Sequence, residues 1–534
     1  MAINYTQSAV VFTVLLAMTG CPSDPDARAS GDTGVVVPSG PGTTGPSGPG
    51  SNSNSGADSG AADTTTGTDS AATSDDGDDH DPGSPVLFDI GAIPDVPDSD
   101  GTFQGIPETC DEAKAAQSTV GCSFRGNRME NFAEYDASIV VGNVSEDEAT
   151  LVQLYFTTGA GEVAQGAAVS VGPLQSHEFV LSQPNTPGSV TVNREAGTYR
   201  VESDLPMVAY QHSPISAVAS NDSSMLIPDH ALGQFYIVAS YQTTVSGNLS
   251  AFNVIGVHDG TLVEWTPRNQ TSAGGGIAAV PPFGLGSAIV DQNDLLQVVA
   301  ATDVSGTIIE TSEPAWVVGT NPCANIPNGV TFCDHIEELL IPVEYWGTQY
   351  VGAHAPNRGN ERYWWRVYSG ADDVTVSVSP AQPGFPVQLD RGEFYEFNTY
   401  DHVIFEGTGG FMPVQYLEGQ DGGAGTGDPA SYQMVPTEQF LPRYVFVTGV
   451  GYNQNFVQVT RPTDGADVFV DGILVGGYTT IGDFEVSDWP VAEGPHSADS
   501  DAPFGIIQVG YTGVTSYAYP GGLALGFINP NPAG

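Results

Sequence analysis

From Ala137 onward, apolar and polar residues alternate in short runs, each ended by Gly, Pro, Asn or Asp. Ser138–Val144, Ala149–Phe156, Ala168–Val171, His177–Leu181, Gly197–Glu202 and Pro206–Gln211 follow one another closely. A period of two places alternate side chains on opposite faces, so each run predicts a strand, and their density predicts an antiparallel sandwich. The pattern returns in Ala251–Val257, Thr261–Trp265, Leu295–Ala300 and Thr307–Thr311. One helix is predicted, over Glu108–Ser118, with Thr109 as its cap and acidic residues in its first turn.

A connector recurs between these groups of strands. Ser224-Met-Leu-Ile-Pro228, Glu338-Leu-Leu-Ile-Pro342 and Tyr432-Gln-Met-Val-Pro436 each lead through a polar turn into an aromatic-led run. Self-similarity at this spacing predicts tandem units of about 134–232, 233–345, 346–440 and 441–534. The expected fold class is therefore all-β: about four antiparallel sandwich-like units after a disordered linker, with one short helix. Pro228, Pro342 and Pro436 are expected at equivalent positions.

The residues before Thr102 have another character. Ala9–Met18 is too short to span a bilayer and suits a signal peptide over 1–20. Leu16-Ala-Met-Thr-Gly-Cys21 resembles a bacterial lipoprotein box, with Cys21 as the acylated residue. Residues 21–101 are nearly all Gly, Ser, Thr, Pro, Ala and Asp, which cannot bury a core and predict a disordered tether. Such a tether spans roughly 50 Å. The remainder, 102–534, is expected to fold.

Composition narrows the partners. A formal charge of −50, from 63 acidic and 13 basic residues, argues against nucleic acid and against anionic lipid. Contact with the membrane is expected only through the N-terminal lipid. No cofactor is predicted beyond divalent cations held weakly at an acidic surface. Four cysteines remain after Cys21, in two close pairs, and predict the disulfides Cys110–Cys122 and Cys323–Cys333 outside the cytoplasm. Asp229-His230 and Asp334-His335 read as turn caps with half-exposed histidines, or else as a cation or protonation site. No catalytic signature stands out from the sequence.

Several motifs together resemble the IgGFc-binding protein N-terminal domain family. They are Cys110-x11-Cys122-Ser-Phe124, Tyr210-Gln-His212, Ser220-Asn-Asp-Ser-Ser-Met-Leu-Ile-Pro228, Asp334-His-Ile-Glu-Glu338, Gly427-Asp-Pro-Ala-Ser431 and Ser516-Tyr-Ala-Tyr-Pro-Gly-Gly522. The resemblance covers about 103–530. It implies a secreted or lipid-anchored, acidic bacterial protein without a recognised catalytic centre. The leading expectation is a lipid-anchored binding or adhesion module on the outer membrane surface, with a protein or glycan ligand and no enzymatic activity. A structural component of the envelope or motility machinery is the second reading, and a secreted hydrolase the third. The strand Arg362-Tyr-Trp-Trp-Arg-Val-Tyr-Ser369 carries the candidate contact surface. Trp365 and Val367 match apolar pairs in the other units and should face the core, which leaves Trp364, Arg366 and Tyr368 to face outward.

Overall fold

Thr109 opens the helix Cys110–Ala116, its Oγ1 accepting the Glu112 N–H while Glu112 Oε2 accepts those of Glu108 and Thr109. This reciprocal capping box satisfies amides that a short helix cannot pair internally. The computed structural model describes residues 106–116, 118–131, 136–183, 186–214 and 220–533. The expected signal peptide, Cys21 and the tether lie outside them.

Nearly everything else is antiparallel strand, and one eight-strand order occurs four times. The second copy shows it plainly. One sheet runs Phe235–Ile237, Ile308–Thr311, Thr261–Thr266, Gly286–Val290; the other runs Asp334–Leu339, Ala315–Ala324, Ser250–Gly256, Leu295–Ala300, and is extended at its edge by Val192–Arg194 of the first copy. In order of sequence this is 1-6-3-4 facing 8-7-2-5. The third copy, from Gln349–Gly352 to Ser431–Gln433, has the same order. In the first and fourth copies the sixth and seventh strands are one continuous strand, Tyr199–Ser213 and Pro495–Tyr511, shared by both sheets. Gly197–Glu202 and Pro206–Gln211 are thus one strand rather than two, with Pro206 at the crossing. The first copy opens with Gly121–Gly126, ahead of residue 134. We call the four copies modules.

Each recurring proline ends its module and touches that module's beginning. Pro228, Pro342 and Pro436 each precede a single 3₁₀ turn. A Cβ on Gly121, Gly233 or Gly347 would lie 2.4, 2.5 and 2.5 Å from the Cβ of Pro228, Pro342 and Pro436, so only glycine fits there. An acid just past each proline reaches the same place. Asp229 accepts from Ser123 Oγ (2.8 Å) and Arg125 Nε (3.0 Å). Glu344 Oε1 accepts the N–H groups of Gln234 and Phe235, and Glu438 Oε1 that of Thr348. The connector therefore clasps the last strand of a module to its first, and Asp229 is more than a local turn cap.

Both disulfides are present, with Cα–Cα separations of 5.7 Å for Cys110–Cys122 and 5.1 Å for Cys323–Cys333. One large apolar cluster runs through all four modules, and a small one, Val351, Ala353, Ile404, Ile481 and Val486, joins the third to the fourth. Among the described residues no helix is long and apolar enough to cross a membrane.

Candidate functional site

The eighth strands of the modules, Asp222–Met225, Asp334–Leu339, Ser431–Gln433 and Ser516–Pro520, converge on a common axis. Backbone groups there lack the partners an interior strand would have, so side chains from neighbouring modules supply them. Asp222 accepts the N–H groups of Ser223 (2.9 Å), Glu337 (3.2 Å) and Ser431 (3.1 Å), tying the first module to the second and third. Asp334 accepts from Asn221 N (2.8 Å) and lies 2.7 Å from Thr515 Oγ1, which brings in the fourth. Gln433 Nε2 donates to Leu339 O, Ser224 Oγ accepts the Leu339 amide, and the Tyr452 hydroxyl meets Asn221 Oδ1.

The axis is dry and acidic. Burial pushes the carboxyls of Asp222, Asp334, Glu337 and Glu338 well above the ordinary carboxylate range, which favours their neutral form. Burial likewise lowers His335 to about 3 and His212 to about 4, so both imidazoles are neutral at pH 7. His335 is fully buried rather than half-exposed, because its strand is covered on both faces; His230 keeps partial exposure. No group of three or more His, Cys, Asp or Glu among the described residues is arranged to hold a metal ion. Chemically, the axis is a neutral hydrogen-bonded joint.

Four of the motifs singled out in the sequence meet at this joint: Ser220–Pro228, Asp334–Glu338, Gly427–Ser431 and Ser516–Gly522. A family model described as IgGFc binding protein matches residues 222–510, more than half of the chain. The chain belongs to the IgGFc binding protein family. It is also similar to the human IgGFc-binding protein, 23% identical over 346 residues that cover 62% of this chain. The chain spans only 6% of that relative's length. No solved structure matches it. The family match thus begins in the first module's last strand, at the axial Asp222.

The predicted contact strand lies elsewhere, as the second strand of the third module, Tyr363–Ser369. Trp365 and Val367 are fully buried in the sandwich core, as are Phe252, Val254, Val457 and Val459 at the matching positions. The other face is a correction. Arg366 and Tyr368 are 3% and 1% exposed, because the second module covers them, and Trp364 is half-buried against the core. Arg366 donates to Asp303 (3.1 Å) and Glu396 (2.8 Å) and to Ser240 O, and its guanidinium lies over the rings of Tyr241, Phe394 and Tyr416. Burial alone would depress its pKa, but Asp303 and its other neighbours raise it well above normal. Gln458, in the corresponding strand of the fourth module, donates in the same way to His354 O of the third. Arg366 and Gln458 at this position join modules, where the mixed composition of the set predicted a solvent-facing surface.

Just outside the Arg366 cluster the second and third modules separate into an open cleft of about 410 Å³, lined by Arg268, Asn269, Phe283, Ser305, Glu393 and Phe394 among others. Nothing in the sequence singled out these residues. They come from separate loops of two modules, and only Phe283, an aromatic beside Gly284, carries a local signal.

Proposed function

We propose that this member of the IgGFc binding protein family is an extracellular binding module with no catalytic activity of its own. The observation that carries the reading is the family match over 222–510, which takes in all three connectors and three of the four axial strands. The buried acids Asp222 and Asp334 are engaged in holding modules together, which fits a rigid display scaffold. We further propose that Cys21 is acylated and that residues 22–101 tether the scaffold to the outer surface of the cell envelope. An excess of 63 acidic over 13 basic residues keeps such a surface solvated and clear of anionic lipid.

The partner in this reading is a protein or glycan at the cell surface. Proteinase treatment of intact cells, followed by capture of the released fragment on immobilised Fc and on mucus glycans, tests it. Release from intact cells with capture on either matrix is the expected outcome. A chain that resists shaving until the envelope is broken, and that is retained by envelope proteins instead, would favour a structural role.

A further inference from the structure

Phe283 breaks a local rule with no return to the fold. Gly284 N donates to Pro281 O, and Phe283 has φ 60°, so Pro281-Pro282-Phe283-Gly284 has the pattern of a type II turn. Pro282 suits the second position, but the third calls for glycine or asparagine, and here a bulky aromatic is held in the left-handed region. Its ring is 70% exposed, and the guanidinium of Arg268 lies 5.5 Å from its centroid. Strain held at one residue, with its side chain presented to solvent beside a cleft between domains, marks a ligand contact.

We propose that the cleft between the second and third modules binds a neutral sugar ring, stacked on Phe283. This deepens the binding-module reading and rests on it. Charge selects the ligand class. Arg268 Nη2 is 2.7 Å from Glu393 Oε1, so the cation at the mouth is already neutralised. The chain's charge of −50 repels an anionic ligand, and the only carboxylate among the described residues lining the cleft, Glu393, is already paired with Arg268 and so offers a cationic ligand no free partner. A hexose has what remains to be matched: a C–H face for the ring and hydroxyls for planar polar groups. Asn269 spends its Nδ2 on Asp303 O (3.0 Å), leaving its amide oxygen an acceptor with no partner among the described residues. Glu393 and Arg268 supply an acceptor and donors beside it. Ser305 Oγ, held by Arg366 Nη1 and by Ser240 O, fixes the floor.

The test uses the folded full chain with D-galactose, N-acetyl-D-glucosamine and N-acetyl-D-galactosamine, read by saturation-transfer NMR and calorimetry. Phe283→Gly is the informative variant, since glycine suits that turn: its melting temperature should equal or exceed the parent's. Its affinity for the sugar should fall about tenfold or more, the scale of one aromatic stacking contact. Asn269→Ala should weaken the same sugar, with no more than the small fall in melting temperature that loss of its one bond to Asp303 O implies. The inference is overturned if none of the three sugars binds the parent chain, or if Phe283→Gly binds as tightly. Capture on Fc or mucus, measured alongside, separates the two readings. Full capture without sugar binding leaves the module reading standing and removes this one; loss of both removes both.

Discussion

The axis and the cleft between the second and third modules use polar residues in opposite ways. At the axis, carboxyls, amides and hydroxyls from four strands are buried together, and many of their bonds cross from one module to another. At the cleft, Arg268, Asn269 and Glu393 are only partly buried, and beside them an aromatic ring stands in water on a strained turn. The contrast teaches where to look for function in a repeated β-protein. Four of the motifs singled out in the sequence mark the joint between the modules. The cleft proposed to meet a ligand is built mostly from loop residues that take no part in linking the modules at the axis.

That contrast is open to attack, beginning at the axis. Asp222→Ala strands three buried N–H groups, one in its own module and one in each of two others, and should cost roughly 3–6 kcal/mol. A denaturant titration should show the loss as one cooperative shift, whereas Asp222→Asn, which keeps an acceptor, should cost much less. A cost below 1 kcal/mol for the alanine variant would mean the axis is not the joint.

Acidity should stabilise the protein. Burial raises Asp428 from 3.8 to about 7, and Asp222, Asp334, Glu337 and Glu338 move in the same direction. A carboxyl whose folded pKa exceeds its unfolded one contributes in full below about pH 4, and that contribution is lost as pH rises through about 7. For Asp428 the loss is on the order of 4 kcal/mol. Melting temperature should therefore be higher at pH 5 than at pH 8, and Asp428→Asn should flatten the slope. A melting temperature that climbed with pH would contradict the neutral axis.

The smallest effect belongs to the seam. Arg366→Ala removes the guanidinium shared by three rings and leaves Asp303 and Glu396 without it, at a cost of about 3 kcal/mol. Thermal melts should register it, while sugar binding per folded molecule should fall by less than in Phe283→Gly, since Arg366 reaches the cleft only through Ser305. Unchanged stability with lost binding would return Arg366 to the role of a surface contact.

Local order accounts for what the chain disclosed by itself. Period two located the strands, the prolines set the register that put Trp365 and Val367 in the core, and close spacing paired the cysteines. The misreading of Arg366 and Tyr368 has one physical source. The second strand of a module is buried on both faces, one in its own sandwich and one against the preceding module, so Asn253 and Gln458 are as hidden as Val254 and Val457. Alternation predicts one wet face only when a sheet has one. The axis was out of reach for another reason. Asp222 finds its partners 115 and 209 residues along the chain, and no periodicity encodes a contact of that span.

The modules also close on themselves. Leu523, past the final strand, exchanges hydrogen bonds with Thr119, just ahead of the first, and the ring of Tyr519 stacks on Tyr210 with centroids 4.7 Å apart. The two ends of the folded region are thus neighbours, and the seam between the last module and the first is a seam like the others. Such a molecule has a cyclic order but no privileged starting point. A gene rearranged to begin at Gly233, with the old ends joined by a short linker, would encode the same set of contacts in a different order.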